Sequence, residues 1–305
     1  MLKETPEKHL IQNFSLPTPK LVVAIMLPDG TISLDSSQSY DLWNNGGLLD
    51  RDPKLLTVQH GMDLLQLLTN ELGLVSVDEK GFLQHRIVLE LDPHKTTMRI
   101  LGKIAEALIV DECNKDSIKN TKWANAARRY ISPQKSYDKY KALGTGLKYT
   151  QLNHPQKYNP GDTQRDIIWI DKDDEKSQLM MSISGNQLSG IQAGLQIKVS
   201  YGDYVKPSTL AKYEIPVVYF DLKDNFMSLV MKTNYSNIDS TNGLDYHRGR
   251  NISLEIHEKL KDYYHLIFRI ISGKTDINTL AHNKEVLEAF IKDQKEIAGK
   301  QIVTL

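Results

Sequence analysis

The chain has 305 residues, 40% of them hydrophobic, with 38 basic side chains set against 38 acidic ones. That is enough apolar material for one large domain or two to three small ones, and the balanced charge excludes whole-chain electrostatics as the route to a nucleic-acid partner. The single cysteine, Cys113, excludes an intrachain disulfide and cannot build a structural zinc site.

The opening segment "MLKETPEKHLIQNF" is charged throughout and lacks the apolar stretch of a signal peptide. No apolar run approaches the roughly 20 residues of a membrane span, so a cytoplasmic protein without a membrane partner is expected. Residues 20–34, "KLVVAIMLPDGTISL", read as strand, turn and strand, and "NNGG" at 44–47 reads as a loop. Leu64, Leu65, Leu67 and Leu68 fall on a helical period within 60–73, ending at Gly73, and "HRIVLELD" at 85–92 alternates like a strand. Residues 1–95 thus form an N-terminal α+β unit without a chemical motif.

From Thr96 the pattern changes. "TTMRILGKIAEALIVDECNK" is a helix, with Ile100, Ile104, Ala107, Leu108 and Asp111 at spacings of three and four and Thr96 or Thr97 as its N-cap. Weak helical propensity runs on through "NTKWANAARRY" until Pro133, Gly144 and Gly146 break the chain. Residues 151–165 are a polar loop. "DIIWI" at 166–170 is a strand, "KDDEK" a charged turn, "QLMMSIS" a further strand and "GLQIKVS" at 194–200 the next. "PSTLAKY" at 207–213 is a short helix with proline at its start, and "IPVVYFDL" at 215–222 a buried strand. A loop rich in Asn, Ser and Gly at 234–251 leads to two closing helices, about 252–271 and 276–298, the second capped by Asp276.

The polar residues occupy particular places on this order. Glu106 lies on the inner stripe of the first helix, Asp166 opens the "DIIWI" strand, and Gln196 and Lys198 share one face of "LQIKV". Two acids, an amide and an amine suit phosphodiester hydrolysis. A divalent cation takes oxygen ligands, which Asp166, Gln196 and a main-chain carbonyl supply, and it neutralises the phosphate and acidifies a bound water. A lysine beside that water orients it. No P-loop, no G-x-G-x-x-G after a strand and no G-x-S-x-G is present, and the histidines show no zinc-ligand spacing.

"GDTQRDIIWID … AGLQIKVS", preceded by a helix with "GKIAEAL", resembles the PD-(D/E)XK nuclease superfamily over about residues 96–225. The resemblance implies an α/β, restriction-endonuclease-like α-β-β-β-α-β core, here 96–233, between the N-terminal unit and a C-terminal helical segment, 234–305. It implies Asp166 as the principal metal ligand, Gln196 in the place of the usual carboxylate, the carbonyl of Ile197 as a further ligand, Lys198 as the catalytic lysine, and Glu106 as the helix acid, bound directly or through water. Mg²⁺, with Mn²⁺ as substitute, is the implied cofactor and double-stranded DNA the implied substrate. A place in restriction or anti-phage defence, with a partner protein or as a homodimer, follows from the resemblance alone. Two departures stand out: Gln replaces Glu, and the gap from Asp166 to Gln196 is longer than a hairpin needs, so an extra strand or loop sits in "SQLMMSISGNQLSGIQA".

Competing readings stay open on the sequence. Lys198 could be a solvent-reaching lysine on an edge strand, Asp162 and Asp171 are rivals for the role of Asp166, and Glu106 could lie on a solvated helix face. The basic run from Lys115 to Lys148, interleaved with aromatic residues, could track phosphates through Arg128, Arg129, Lys135 and Lys148, with Arg165 nearby, or be a solvated face. "DYHRGR" at 245–250 is a second basic candidate. Beside the nuclease stand two further classes: a nuclease fold that no longer cuts and serves nucleic-acid binding or complex assembly, and a plain α/β interaction protein.

Overall fold

A computed structural model describes residues 53–129, 134–184, 187–202, 212–223, 225–235 and 246–303, together with Ser208 and four short strands near the N-terminus. Those strands are β1 (Lys20–Leu21), β2 (Ala24–Met26), β3 (Ile32–Leu34) and β4 (Tyr40–Asp41). β2 pairs antiparallel with β3, as the alternation in "KLVVAIMLPDGTISL" predicts, and β1 pairs with β4. The loop "NNGG", Pro133 and most of "PSTLAKY" lie outside the described residues.

Helix α1 (Pro53–Gln66) buries Leu55, Leu56, Leu64 and Leu65 and runs into one π turn, Leu67–Glu71. β5 (Val75–Val77) and β6 (Leu83–His85) form an antiparallel hairpin. The strand expected at 85–92 is absent beyond His85. Its main chain is taken by side chains of the following helix instead: Arg99 donates to the Val88 carbonyl and Thr96 Oγ1 accepts from Glu90 N at 2.9 Å. That helix, α2 (Pro93–Lys115), starts earlier than expected. Its N-cap is Asp92, whose carboxylate accepts from His94 N at 2.9 Å, with Pro93 at the first helical position, while Thr96 and Thr97 are buried inside the first turn.

α3 (Ser117–Ala127) follows, capped by Asp116. β7 (Tyr140–Gly144) comes next, a strand the sequence reading missed because five residues, "YKALG", show no alternation to speak of. α4 (Lys148–Asn153) precedes β8 (Ile167–Asp171). β9 (Met180–Ser184) and β10 (Gln187–Gln192) form the hairpin that fills the long gap before β11 (Gly194–Ser200). β12 (Val217–Asp221), α5 (Phe226–Tyr235), β13 (Tyr246–Arg248), α6 (Gly249–Ile252), α7 (Leu254–Ile271) and α8 (Lys284–Val303) complete the chain. Asp276 does cap a turn, but it is the 3₁₀ turn Ile277–Leu280 ahead of α8.

The architecture is mixed α/β around a five-stranded sheet in the order β13-β12-β11-β8-β7. β7 and β8 are antiparallel, as are β8 and β11, whereas β11, β12 and β13 run parallel. The inner strands are buried on both faces, which explains their near-continuous apolar runs. α2 packs on β7 and β11 through one face and on α7 through the other. One hydrophobic core extends from Leu56 through Ile104, Trp169 and Val218 to Phe290, so it crosses both boundaries expected at 95 and 233. α7 and β13 are therefore integral to the unit that holds the sheet.

Candidate functional site

The sheet places Asp166 one residue before β8. Its main chain is nonetheless in the ladder: Asp166 N donates to the Leu195 carbonyl at 2.9 Å and its own carbonyl accepts from Thr145 N at 2.8 Å. The carboxylate turns toward β11, where Oδ2 accepts from Ile197 N at 2.8 Å and from the Gln196 side-chain amide. Gln196 and Lys198 stand on the same face of β11, two residues apart. Glu106 approaches from α2. Asp166, Gln196, Lys198 and Glu106 line one cleft of about 370 Å³. β11 is central, with β8 on one side and β12 on the other, so Lys198 is not an edge-strand lysine. It is partly buried, with its ammonium 5.0 Å from the centre of the Tyr213 ring.

The rivals of Asp166 are engaged elsewhere. Asp162 holds its own turn, accepting from Gln164 N at 2.9 Å and Arg165 N at 3.0 Å and pairing with the Arg165 guanidinium at 3.1 Å. Asp171 accepts from Asp173 N at 3.0 Å and pairs with Lys139 at 3.3 Å, at the other end of β8.

Glu106 is 1% exposed, which removes the solvated-face reading. Its Oε2 meets Lys103 Nζ at 2.8 Å and its Oε1 accepts from Gly146 N at 3.1 Å. Burial raises its carboxyl to about 7; the neighbouring Lys103 lowers it, Asp166 adds to the rise, and the Gly146 N–H offsets part of it. Burial also holds Asp166 above the usual carboxylate range, with the Ile197 N–H, Lys198 and Lys103 pulling the other way. Burial depresses Lys103, but Glu106, Asp166 and Tyr158 outweigh it and the ammonium is held above its ordinary range. Lys103 is the member of this cluster that sequence reasoning missed. The signal was there, since Lys103 and Glu106 are three apart on one helix face, but which face meets the sheet is not a local property.

Among the described residues no group of three or more His, Cys, Asp and Glu side chains is arranged to hold a metal ion. The donors in this cleft are of a different composition: two carboxylates, the amide of Gln196 and the main-chain carbonyl of Ile197. The set fits a hard cation, because every donor is oxygen and because Gln196 Oε1 is a buried acceptor with no hydrogen-bond partner, in a residue only 5% exposed.

The basic run fares differently. Arg128 is 4% exposed, and its guanidinium donates to the Met180 carbonyl at 3.2 Å, Tyr137 Oη at 3.0 Å and Ser182 Oγ at 2.7 Å. It ties α3 to β9 and is closed to phosphates, a correction to its expected role. Arg129 has a positive φ of 69° and donates to the Glu214 carbonyl at 3.1 Å. Arg165 is held by Asp162 and by Gln192 Oε1 at 2.8 Å. Lys135 is exposed, and Lys148 lines a separate cavity with Gln151 and Tyr158. Lys115, Lys119, Lys139 and Lys141 are each paired with carboxylates. In "DYHRGR", Arg248 grips the fully buried Asp221 with two hydrogen bonds, 3.0 and 2.8 Å. No family model, no curated protein and no solved structure matches this chain. No helix among the described residues is long and apolar enough to cross a membrane.

Proposed function

We propose that the chain is a metal-dependent endonuclease that hydrolyses phosphodiester bonds in double-stranded DNA. The observation that carries this reading is the convergence of Asp166, Gln196, Lys198 and Glu106 on a single cleft from two neighbouring strands and the helix packed on them. Strand direction supports it as well. β7, β8 and β11 run antiparallel in turn and β12 is parallel to β11, strand directions compatible with a restriction-endonuclease-like core in which the β9–β10 hairpin is an insertion; much of the connection from β11 to β12 lies outside the described residues.

Asp166, Gln196 Oε1 and the Ile197 carbonyl are the residues that would hold Mg²⁺ or Mn²⁺, with Glu106 beside them. When bound, such a cation neutralises the phosphate and lowers the pKa of a water molecule. The chain's own contribution is positional and electrostatic. Lys198 sits near enough to Asp166 to favour its ionised form, and its compact ammonium orients the attacking water and meets the charge that builds on the phosphoryl oxygens. The Ile197 N–H holds the Asp166 carboxylate by one oxygen, Oδ2, at 2.8 Å.

One observation favours a second reading, a nuclease-fold subunit that binds nucleic acid or assembles a complex without cutting. Both oxygens of Glu106 and one of Asp166 are spent on internal hydrogen bonds, and Gln196 brings no charge. Incubating the protein with supercoiled plasmid DNA and Mg²⁺ or Mn²⁺, with and without EDTA, separates the two. Nicking that needs the cation, and that slows at least about 100-fold in Lys198→Ala with an unchanged melting temperature, is the expected result. No cation-dependent cutting gives the chain to the second reading, and equal cutting by the two proteins removes Lys198 from the chemistry.

A further inference from the structure

The cleft has a wall that the four residues above do not explain. Helix α2 presents Lys95, Arg99, Gly102 and Lys103 to it, at spacings of four, three and one, so they form a single stripe ending at Glu106. Three of the four are cations, of which Arg99 already meets the Glu90 carboxylate at 3.3 Å and donates to the Val88 carbonyl, with Glu90 itself on the cleft wall. Lys95 is exposed, makes no ion pair among the described residues, and stands in the first turn of the helix, where the dipole disfavours a positive charge. Lys103 gives one of its three donors to Glu106 and is 37% exposed, which leaves donors for the cleft.

Gly102 is the sharper anomaly. Glycine inside a helix is unfavourable relative to alanine, so it calls for a packing reason. Gly61 in α1 has one, because a Cβ there would meet the Leu280 carbonyl oxygen at 2.1 Å. A Cβ on Gly102 would meet nothing within 4 Å, and the open space is the cleft itself. The missing side chain serves no contact inside the protein. It leaves a notch in the cation stripe, where another backbone can approach the helix closely. Gln196, which lines the same cleft, keeps a buried Oε1 without a hydrogen-bond partner, a second sign that this wall is incomplete by itself.

We infer that the α2 stripe of Lys95, Arg99 and Lys103, notched at Gly102, is the seat of a DNA sugar–phosphate backbone, which it delivers to Asp166. From Lys95 to Lys103 the stripe is about 12 Å long, the axial rise of about three phosphates on one strand. A polyanion on this wall meets the Lys95 and Lys103 ammonium groups at its two ends, with Arg99 between them exchanging Glu90 for a phosphate and room at the notch for a sugar. The inference takes from the nuclease reading only the fate of the bound phosphate; the binding wall is argued independently of it.

The test reads binding and cutting separately. Anisotropy of a labelled DNA duplex, with Ca²⁺ and across a salt series, should show Lys95→Gln/Lys103→Gln binding at least about 10-fold more weakly, with the log–log salt slope reduced by about two. Lys95→Arg should bind as the wild type does. Gly102→Ala should move two readouts in opposite directions: the melting temperature rises, because alanine is the better helix former, and DNA affinity falls several-fold. Wild-type affinity and slope in these variants would overturn the inference, as would a wild-type protein that does not bind the duplex, or one that prefers an RNA duplex of the same sequence. Plasmid cutting that survives while the stripe variants bind normally sinks the stripe and leaves the nuclease. Stripe-dependent binding without cutting in Mg²⁺ or Mn²⁺ supports the stripe and sinks the nuclease.

Discussion

Helix α2 carries two glutamates with little-exposed side chains six residues apart, and their surroundings differ. At its far end, Glu112 has an 8% exposed side chain and is met by three donors: Trp123 Nε1 at 2.7 Å, Ser253 Oγ at 3.0 Å and Lys119 Nζ at 2.9 Å. These come from α3 and from the N-cap of α7, so the carboxylate pins three helices together. At the cleft end, Glu106 is more deeply buried, has two donors, and shares its surroundings with a second carboxylate. A buried charge that is fully hydrogen-bonded serves packing. One left next to a like charge, on the wall of a cleft, is a candidate for chemistry instead. The same residue type on the same helix is divided between structure and site by what the neighbouring elements bring to it.

Variants can break or sharpen this contrast. The largest effect is expected at the cleft end. Asp166→Asn removes the charge shared between β8 and β11, and cutting should fall by roughly 10³-fold. Calorimetric titration with Mn²⁺ should show binding to the wild type alone; equal binding would take Asp166 out of the site.

Next in size is the titration of Glu106. Its carboxyl ionises near 4.5 in the unfolded chain and about 7 in the folded one. The folded state therefore binds the extra proton between those values, and the stability this group contributes is complete below about pH 4.5 and is lost as the pH rises through 7. Glu106→Gln has no such group. Urea denaturation in pH steps should show the stability of wild type relative to variant declining by about 3 kcal/mol from pH 4.5 to 8. Parallel curves would show that Glu106 is a settled structural charge after all.

Glu112→Ala should cost about 2 kcal/mol of stability by stranding the buried Trp123 N–H, while the folded fraction cuts at the wild-type rate. A loss of cutting there beyond the loss of folded protein would dissolve the contrast. The smallest effect is Gln196→Glu. Adding a charged oxygen donor should tighten Mn²⁺ several-fold, about 1 kcal/mol, and make the melting temperature depend more strongly on the cation. A decrease in affinity would argue that Gln196 Oε1 is no ligand.

Much of the cleft was legible before the fold. Gln196 and Lys198 share a face through a strand's period of two, a local property, whereas Asp166 is singled out over Asp162 and Asp171 through the resemblance of the motif order. The sequence left Glu106 open between its inner stripe and a solvated face, although α2 itself was readable from apolar residues at three and four spacings. Three things were not. β7 is five residues with no alternation, and it exists because β8 offers it an antiparallel edge. Arg128 sits in a basic run that reads as a phosphate track, yet Tyr137, Met180 and Ser182, from 9 to 54 positions away, draw it into the core. Gly102 and Lys103 look like ordinary helix positions until β11 is packed beside α2 and the space in front of them becomes a cleft. A chain's own pattern records which way each side chain points relative to its neighbours in sequence. What it points at is decided by segments far along the chain, and only the tertiary structure brings those together.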